Sequence, residues 1–376
     1  MVEEPVFPNR GAQDSGSDGT GNLFVAFFVA IKNVGDWQRS HGGVNREVRT
    51  RTWLVAGWMV LTAGCRTAEY YGQAVAGQVE VLAKRAPIEK VAAQTEDGFL
   101  KERLELTKRL LVFARDELHM PSQGNYELYA DLERKHLVWV LHAAPELSME
   151  PRSWWYPVVG RQDYRGFFRE EMVREEAARM ELLGDEAWVE GVDAYSTLGW
   201  FRDPVLNTFA DRDEMDYAEL IFHELAHVKC YVSGNTSWNE GMAEAVARAG
   251  VRRWFAHTGR PGMAREYETR LEKRAAARDI ISGTAEAIRK IYLKPVSDEK
   301  KRAAKERGLM LMKRNLQALS WRWGGGLKSW IDGPVNNARL NSFKTYEDEV
   351  PKFEALLSQC GGDFREFWRR LKELEP

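Results

Sequence analysis

One ten-residue segment limits the fold more than any other part of the chain. Ala218-Glu219-Leu220-Ile221-Phe222-His223-Glu224-Leu225-Ala226-His227 carries apolar residues at helical spacing on almost every side, and among them stand two histidines and two glutamates. A helix that is apolar nearly all round belongs in an interior. There, imidazoles and carboxylates without partners cost free energy, so something must satisfy them. His223 and His227 are four residues apart, which puts both rings on one face about one turn from each other. Tetrahedral zinc can bridge that separation, and Glu224, between them, can reach a water held there as general base. Histidine-glutamate-x-x-histidine on a helix is the pattern of that chemistry.

Zinc used in catalysis takes three protein ligands and keeps a position open. The third ligand is sought in Ser237-Trp238-Asn239-Glu240-Gly241-Met242-Ala243-Glu244-Ala245-Val246, which begins a second helix after a turn at Gly234-Asn235. Glu240 can ligate, or it can close a capping box with Ser237. Glu244, one turn on, can ligate or hold a ligating histidine by its other nitrogen. Cys230, three residues past His227, shares roughly its face, although a free cysteine is most often a small buried apolar group.

Asn239-Glu240-Gly241-Met242-Ala243 resembles the Asn-Glu-Gly-Phe-Ala segment of gluzincin metallopeptidases, the thermolysin-like and aminopeptidase-like zinc enzymes. That resemblance makes Glu240 the third ligand. Twelve residues separate it from His227, fewer than in the familiar gluzincins, so a tight turn is expected. Further segments are similar to the predicted aminopeptidase family of bacterial zinc lipoproteins: Tyr70-Tyr71-Gly72-Gln73-Ala74 with Gly77-Gln78, Pro157-Val158-Val159-Gly160 with Tyr164-Arg165-Gly166-Phe167-Phe168, and Ala194-Tyr195-Ser196-Thr197-Leu198-Gly199-Trp200-Phe201 with Asp203-Pro204-Val205-Leu206-Asn207-Thr208. The resemblance runs from about residue 65 to about residue 250. It implies a gluzincin-like zinc peptidase acting on peptides.

Peptide hydrolysis also needs a donor aimed at the developing oxyanion, and Tyr164, Arg165 and Tyr195 are the candidates. The loop 195–208 can form a pocket wall, with Trp200 and Phe201 either in it or in the core. An aminopeptidase must anchor a free α-ammonium with carboxylate, for which Asp193, Asp203 and Glu244 are available. No Gly-x-Met-Glu-Asn segment of the well-known gluzincin aminopeptidases occurs, so aminopeptidase action is favoured over endopeptidase action only on the wider resemblance. A non-catalytic zinc-stabilised envelope lipoprotein is the alternative from another class. Glu224 argues against it, because a structural site needs no carboxylate there.

The N-terminus bears on location. Arg46, Arg49 and Arg51 precede an apolar run over 53–61 that ends in Thr62-Ala63-Gly64-Cys65, the layout of a secretory signal. Small residues before that cysteine resemble the bacterial lipoprotein signal, with Leu61 one place earlier than usual. This implies a lipidated Cys65 and a chain held on an envelope membrane, facing the periplasm or exterior. The residues ahead of the signal point to a start near Val44, with 1–43 an upstream extension. The 376 residues carry 54 Lys+Arg against 56 Asp+Glu, a net charge of −2 that gives no whole-chain field for nucleic acid. Three cysteines without a CxxC pair make neither a disulfide framework nor a cysteine zinc site.

Behind Cys65 the expectation is one mainly α-helical α+β, zincin-like domain over 65–376, with a core at about 150–258 and helical parts at about 65–135 and 259–376. Helices are expected over 70–86, 97–118, 168–183, 265–290, 298–319 and 346–374, with Pro87 and Pro121 as stops. Strands are expected over 136–144, 154–160 and 188–194. The basic run 300–314, interrupted by Glu306, reads as a solvated helix face.

Overall fold

The computed structural model describes residues 65–156, 160–194, 197, 201–232, 235–343 and 349–374. Expectations placed on 1–64, Tyr195 and Trp200 fall outside the described residues. In chain order the first elements are α1 (Cys65–Ala83), β1 (Ala86–Pro87), α2 (Ile88–Gln94), α3 (Gly98–Glu117), β2 (Leu128–Ala130), β3 (Val138–Pro145), β4 (Trp154–Tyr156), β5 (Gly160–Gln162) and β6 (Arg165–Phe167). They are followed by α4 (Glu170–Leu182), β7 (Asp185–Val192), β8 (Val205–Leu206), α5 (Asn207–Ala210), α6 (Glu214–Lys229) and α7 (Thr236–His257). The C-terminal part is α8 (Pro261–Tyr292), α9 (Asp298–Trp323), α10 (Lys328–Asp332), α11 (Asn337–Ser342), α12 (Val350–Gln359) and α13 (Phe364–Leu371). The molecule is mainly helical with small sheets, as expected.

Two small sheets set the position of the central helices. Antiparallel β6-β3-β7 is paired from Val138↔Val192 to Pro145↔Asp185, and α4 packs on β3 and β7. The second sheet, β1-β2-β8, joins β2 to β8 in parallel, with Tyr129↔Val205 and Ala130↔Leu206. Because β8 leads through α5 into α6, this pairing determines where α6 begins. Asp213 then caps α6 by accepting from the Asp216 amide. Tyr217, Ala218, Ile221, Phe222, Leu225 and Ala226 of α6 are fully buried and α7 packs along it, so the apolar pattern around the histidines does produce an interior helix. The main core runs from Tyr70 in α1 to Leu371 in α13. A smaller cluster joins Ile281 and Ile288 of α8 to Met312 and Leu316 of α9, Trp330 and Leu340.

Three departures have local causes. Pro87 does not only end a helix; it stands at the N-cap of α2, where a missing amide hydrogen costs nothing. The expected strand 154–160 is the hairpin β4–β5, with 157–159 outside the described residues. The expected helix 346–374 is two helices, α12 and α13, divided by Gly361 and Gly362 at φ 63° and 78°. Left-handed backbone cannot continue a right-handed helix.

Candidate metal centre

His223 and His227 project from α6 with their Nε2 atoms 3.1 Å apart. Glu240 Oε2, from α7, lies 3.3 Å from His223 Nε2 and 3.6 Å from His227 Nε2. Metal–ligand bonds of about 2.0–2.2 Å give tetrahedral edges of about 3.3–3.6 Å. The three donor atoms therefore stand close to one face of a zinc tetrahedron. Beside them Glu224 is 9% exposed, and its Oε2 has no hydrogen-bond partner among the described residues. A buried, unpartnered carboxylate oxygen next to three converging donors fits a metal centre better than a packing site.

Glu240 reaches this position through a tight connection. Cys230 leaves α6 in extended backbone, and Asn235 caps α7 by accepting from the Trp238 amide at 3.3 Å. Asn239 clamps the intervening chain at two points, accepting from the Val232 amide at 2.8 Å and donating to the Val232 carbonyl at 2.7 Å. Ser237 is not the cap, so the capping-box alternative for Glu240 is not realised. A Cβ on Gly241 would lie 2.5 Å from Glu349 Cβ. The missing side chain therefore lets the chain pass α7 just before α12.

Behind the donors runs a second layer of charge. Glu244 Oε2 is 3.7 Å from His223 Nδ1, and Arg248 Nε donates to Glu244 Oε1 at 2.7 Å. Burial disfavours the Glu244 carboxylate, but His223 and Arg248 outweigh burial and hold its pKa at about 2. Burial likewise opposes charge on Glu240, and the two imidazoles bring it well below the usual carboxylate range. His223 is pushed the other way: burial lowers it, while Glu240 and Glu244 raise it well above an ordinary imidazole. One turn before His223, Glu219 accepts from Tyr267 Oη at 2.9 Å and from Arg274 Nη1 at 2.8 Å. Arg274 also reaches Asp216 at 2.6 Å, so α8 is tied directly to the back of α6. Sequence reasoning had Glu244 as a possible holder of a ligating histidine but missed Glu219 and its α8 partners, although a glutamate four residues before His223 in an otherwise apolar helix is a signal of them.

The other candidates have partners of their own. Arg165 stacks its guanidinium 4.1 Å from the Tyr70 ring and pairs with Glu176 at 3.1 Å, while Tyr164 lies beside His142. None of these contacts is with the His223–His227–Glu240 cluster. Asp193 is held by His136 at 2.7 Å and Arg212 at 3.3 Å. Asp203 accepts from Thr197 Oγ1 at 2.7 Å and from the Thr197 amide at 2.8 Å, and the Thr197 hydroxyl bonds in turn to Phe201 backbone. Burial, despite those two donors, raises Asp203 to about 7, with the Glu224 charge adding to the rise. Tyr126, which sequence reasoning did not select, is buried at φ 61°, donates its amide to the Asp203 carbonyl at 2.6 Å, and also feels Glu224. Cys230 is half-buried and is not one of the three clustered residues.

Two imidazoles and a carboxylate at tetrahedral spacing, with a free carboxylate oxygen beside them, have the build of a candidate metal centre on a helix pair. The chain belongs to the family described as "Putative aminopeptidase", which it matches over residues 69–376. This extends the resemblance through the charged C-terminal third. No curated protein and no solved structure matches the chain.

Proposed function

We propose that this chain is a zinc-dependent peptidase of the gluzincin kind with a zincin-like catalytic core, acting as an aminopeptidase. The spacing of His223 Nε2, His227 Nε2 and Glu240 Oε2 carries the reading, because it matches the edges of a zinc tetrahedron. Zinc, when bound, would polarise the peptide carbonyl and acidify the attacking water. Glu224 takes that water's proton on its unpartnered oxygen and passes it to the leaving amine. Glu244 keeps the His223 ring oriented through Nδ1, and Arg248 keeps Glu244 ionised. Tyr164, Arg165 and Tyr195 remain the proposed oxyanion donors. Peptide is the substrate, and a lipidated Cys65 holds the enzyme on a bacterial envelope membrane, a reading that rests on the signal-like layout of residues 46–65.

Aminopeptidase rather than endopeptidase action rests on the family. Of the three carboxylates read as amine anchors, Asp193 and Asp203 are engaged elsewhere, and Glu244 alone touches the centre. Digesting paired peptides with free and acetylated N-termini tests the reading. Cleavage confined to the first bond of the free peptides supports it, and equal cleavage of both at internal bonds makes the enzyme an endopeptidase.

A further inference from the structure

Residues 307–331 hold Arg307, Lys313, Arg314, Arg322 and Lys328 and no acidic residue, in a chain whose net charge is −2. The inward face of α9 accounts for part of its basic character. Lys305 is buried against Glu186, Lys313 donates to the Gly333 carbonyl, and Met312, Leu316 and Ser320 are buried with them. The outward face is different. Arg307, Met310, Leu311, Arg314, Trp321 and Arg322 are all exposed, and their spacing places them along one stripe of the helix. Trp321 is 78% exposed, Met310 63% and Leu311 48%. Arg307, Arg314 and Arg322 make no ion pair among the described residues.

Single exposed apolar side chains need no explanation. An indole, a methionine and a leucine interleaved with three unpaired guanidiniums on one helix face form a specific combination. At a lipid interface the apolar groups enter the boundary between headgroups and acyl chains, while the arginines extend to the phosphates. We propose that the outer face of α9 docks on an anionic phospholipid surface. A second copy of the chain fits less well, since a two-fold contact through this face sets the arginine stripe against itself. The inference rests on exposure and charge, and holds whether or not Cys65 carries lipid.

The test uses the 376-residue chain with Cys65→Ser, which removes lipid attachment, and vesicles of phosphatidylcholine with and without phosphatidylglycerol. Co-sedimentation is expected to favour the anionic vesicles and to weaken with salt. Combined Met310→Glu and Trp321→Glu, or combined Arg307→Gln, Arg314→Gln and Arg322→Gln, should each lower anionic-vesicle binding by at least about 10-fold. Circular dichroism should stay unchanged, because every altered side chain is exposed. Residues 1–64 are common to all variants, so the difference reports the stripe. Equal binding by the parent and both variants overturns the proposal. So does a parent that self-associates without lipid and loses that association with the stripe.

Discussion

Glu219, His223 and His227 stand at four-residue steps on α6, and Glu240, Glu244 and Arg248 stand at the same step on the antiparallel α7. The two ladders assign different work to two glutamates of similar burial. Glu240 faces both Nε2 atoms, whereas Glu244 faces only the far nitrogen of His223. His223→Ala or Glu240→Ala should therefore abolish stoichiometric zinc, and Glu244→Ala should weaken it by about 10- to 100-fold. Metal titration decides between them: full zinc in Glu240→Ala with loss in Glu244→Ala reverses the assignment. Asp203 allows a second test at this scale. Its folded-state pKa of about 7 lies above the ordinary 3.8, so the folded state binds more protons between those values. That group's contribution must then decline as pH rises from about 4 toward about 7, by about 4 kcal/mol. Asp203→Asn should flatten this part of the curve of melting temperature against pH, and parallel curves for the two proteins would show that burial of Asp203 is not the cause. The donor histidines were legible because i, i+4 spacing determines a shared face. The partners of Arg165 were not, since nothing local to it announces Glu176 on a neighbouring helix or the Tyr70 ring on α1.

The connection between α6 and α7 shows what elements add to residues. Sequence pointed to Ser237 as the capping side chain, and Asn235 stood only in the turn before it. The choice is made by Asn239, whose two bonds to Val232 hold the chain so that Asn235 reaches the Trp238 amide. Gly241 then has a role that helix propensity alone opposes. Alanine there would gain up to about 1 kcal/mol of propensity, but its Cβ would press on Glu349 at 2.5 Å. Gly241→Ala should be destabilising by about 1–3 kcal/mol in denaturant unfolding, as overpacked sites are. A variant as stable as the parent would mean that the segment at Glu349 moves aside freely. Long periodic helices such as α3, α8 and α9 were legible in outline. The division of α12 from α13 depends on backbone sign at Gly361 and Gly362, and the short α10 and α11 are too brief for periodicity to register.

Across the whole molecule, the centre is held from several sides by parts distant in sequence. The parallel pairing of β2 with β8 sets the start of α6, and α7 is flanked by α8 and α12. Arg274 and Tyr267 of α8 join Glu219 directly below His223. These ties lie within the family match, which continues to residue 376 although the C-terminal third carries no motif of its own. We propose that these elements converge on a catalytic zinc ion served by Glu224, and one paired measurement separates zinc binding from catalysis. Zinc content and peptide hydrolysis are determined on the same preparations of the parent and Glu224→Gln. About one zinc per chain is expected in both proteins, with hydrolysis lower by several orders of magnitude in the variant. A parent that binds no zinc, or a Glu224→Gln variant that hydrolyses peptides at the parent rate, would contradict it.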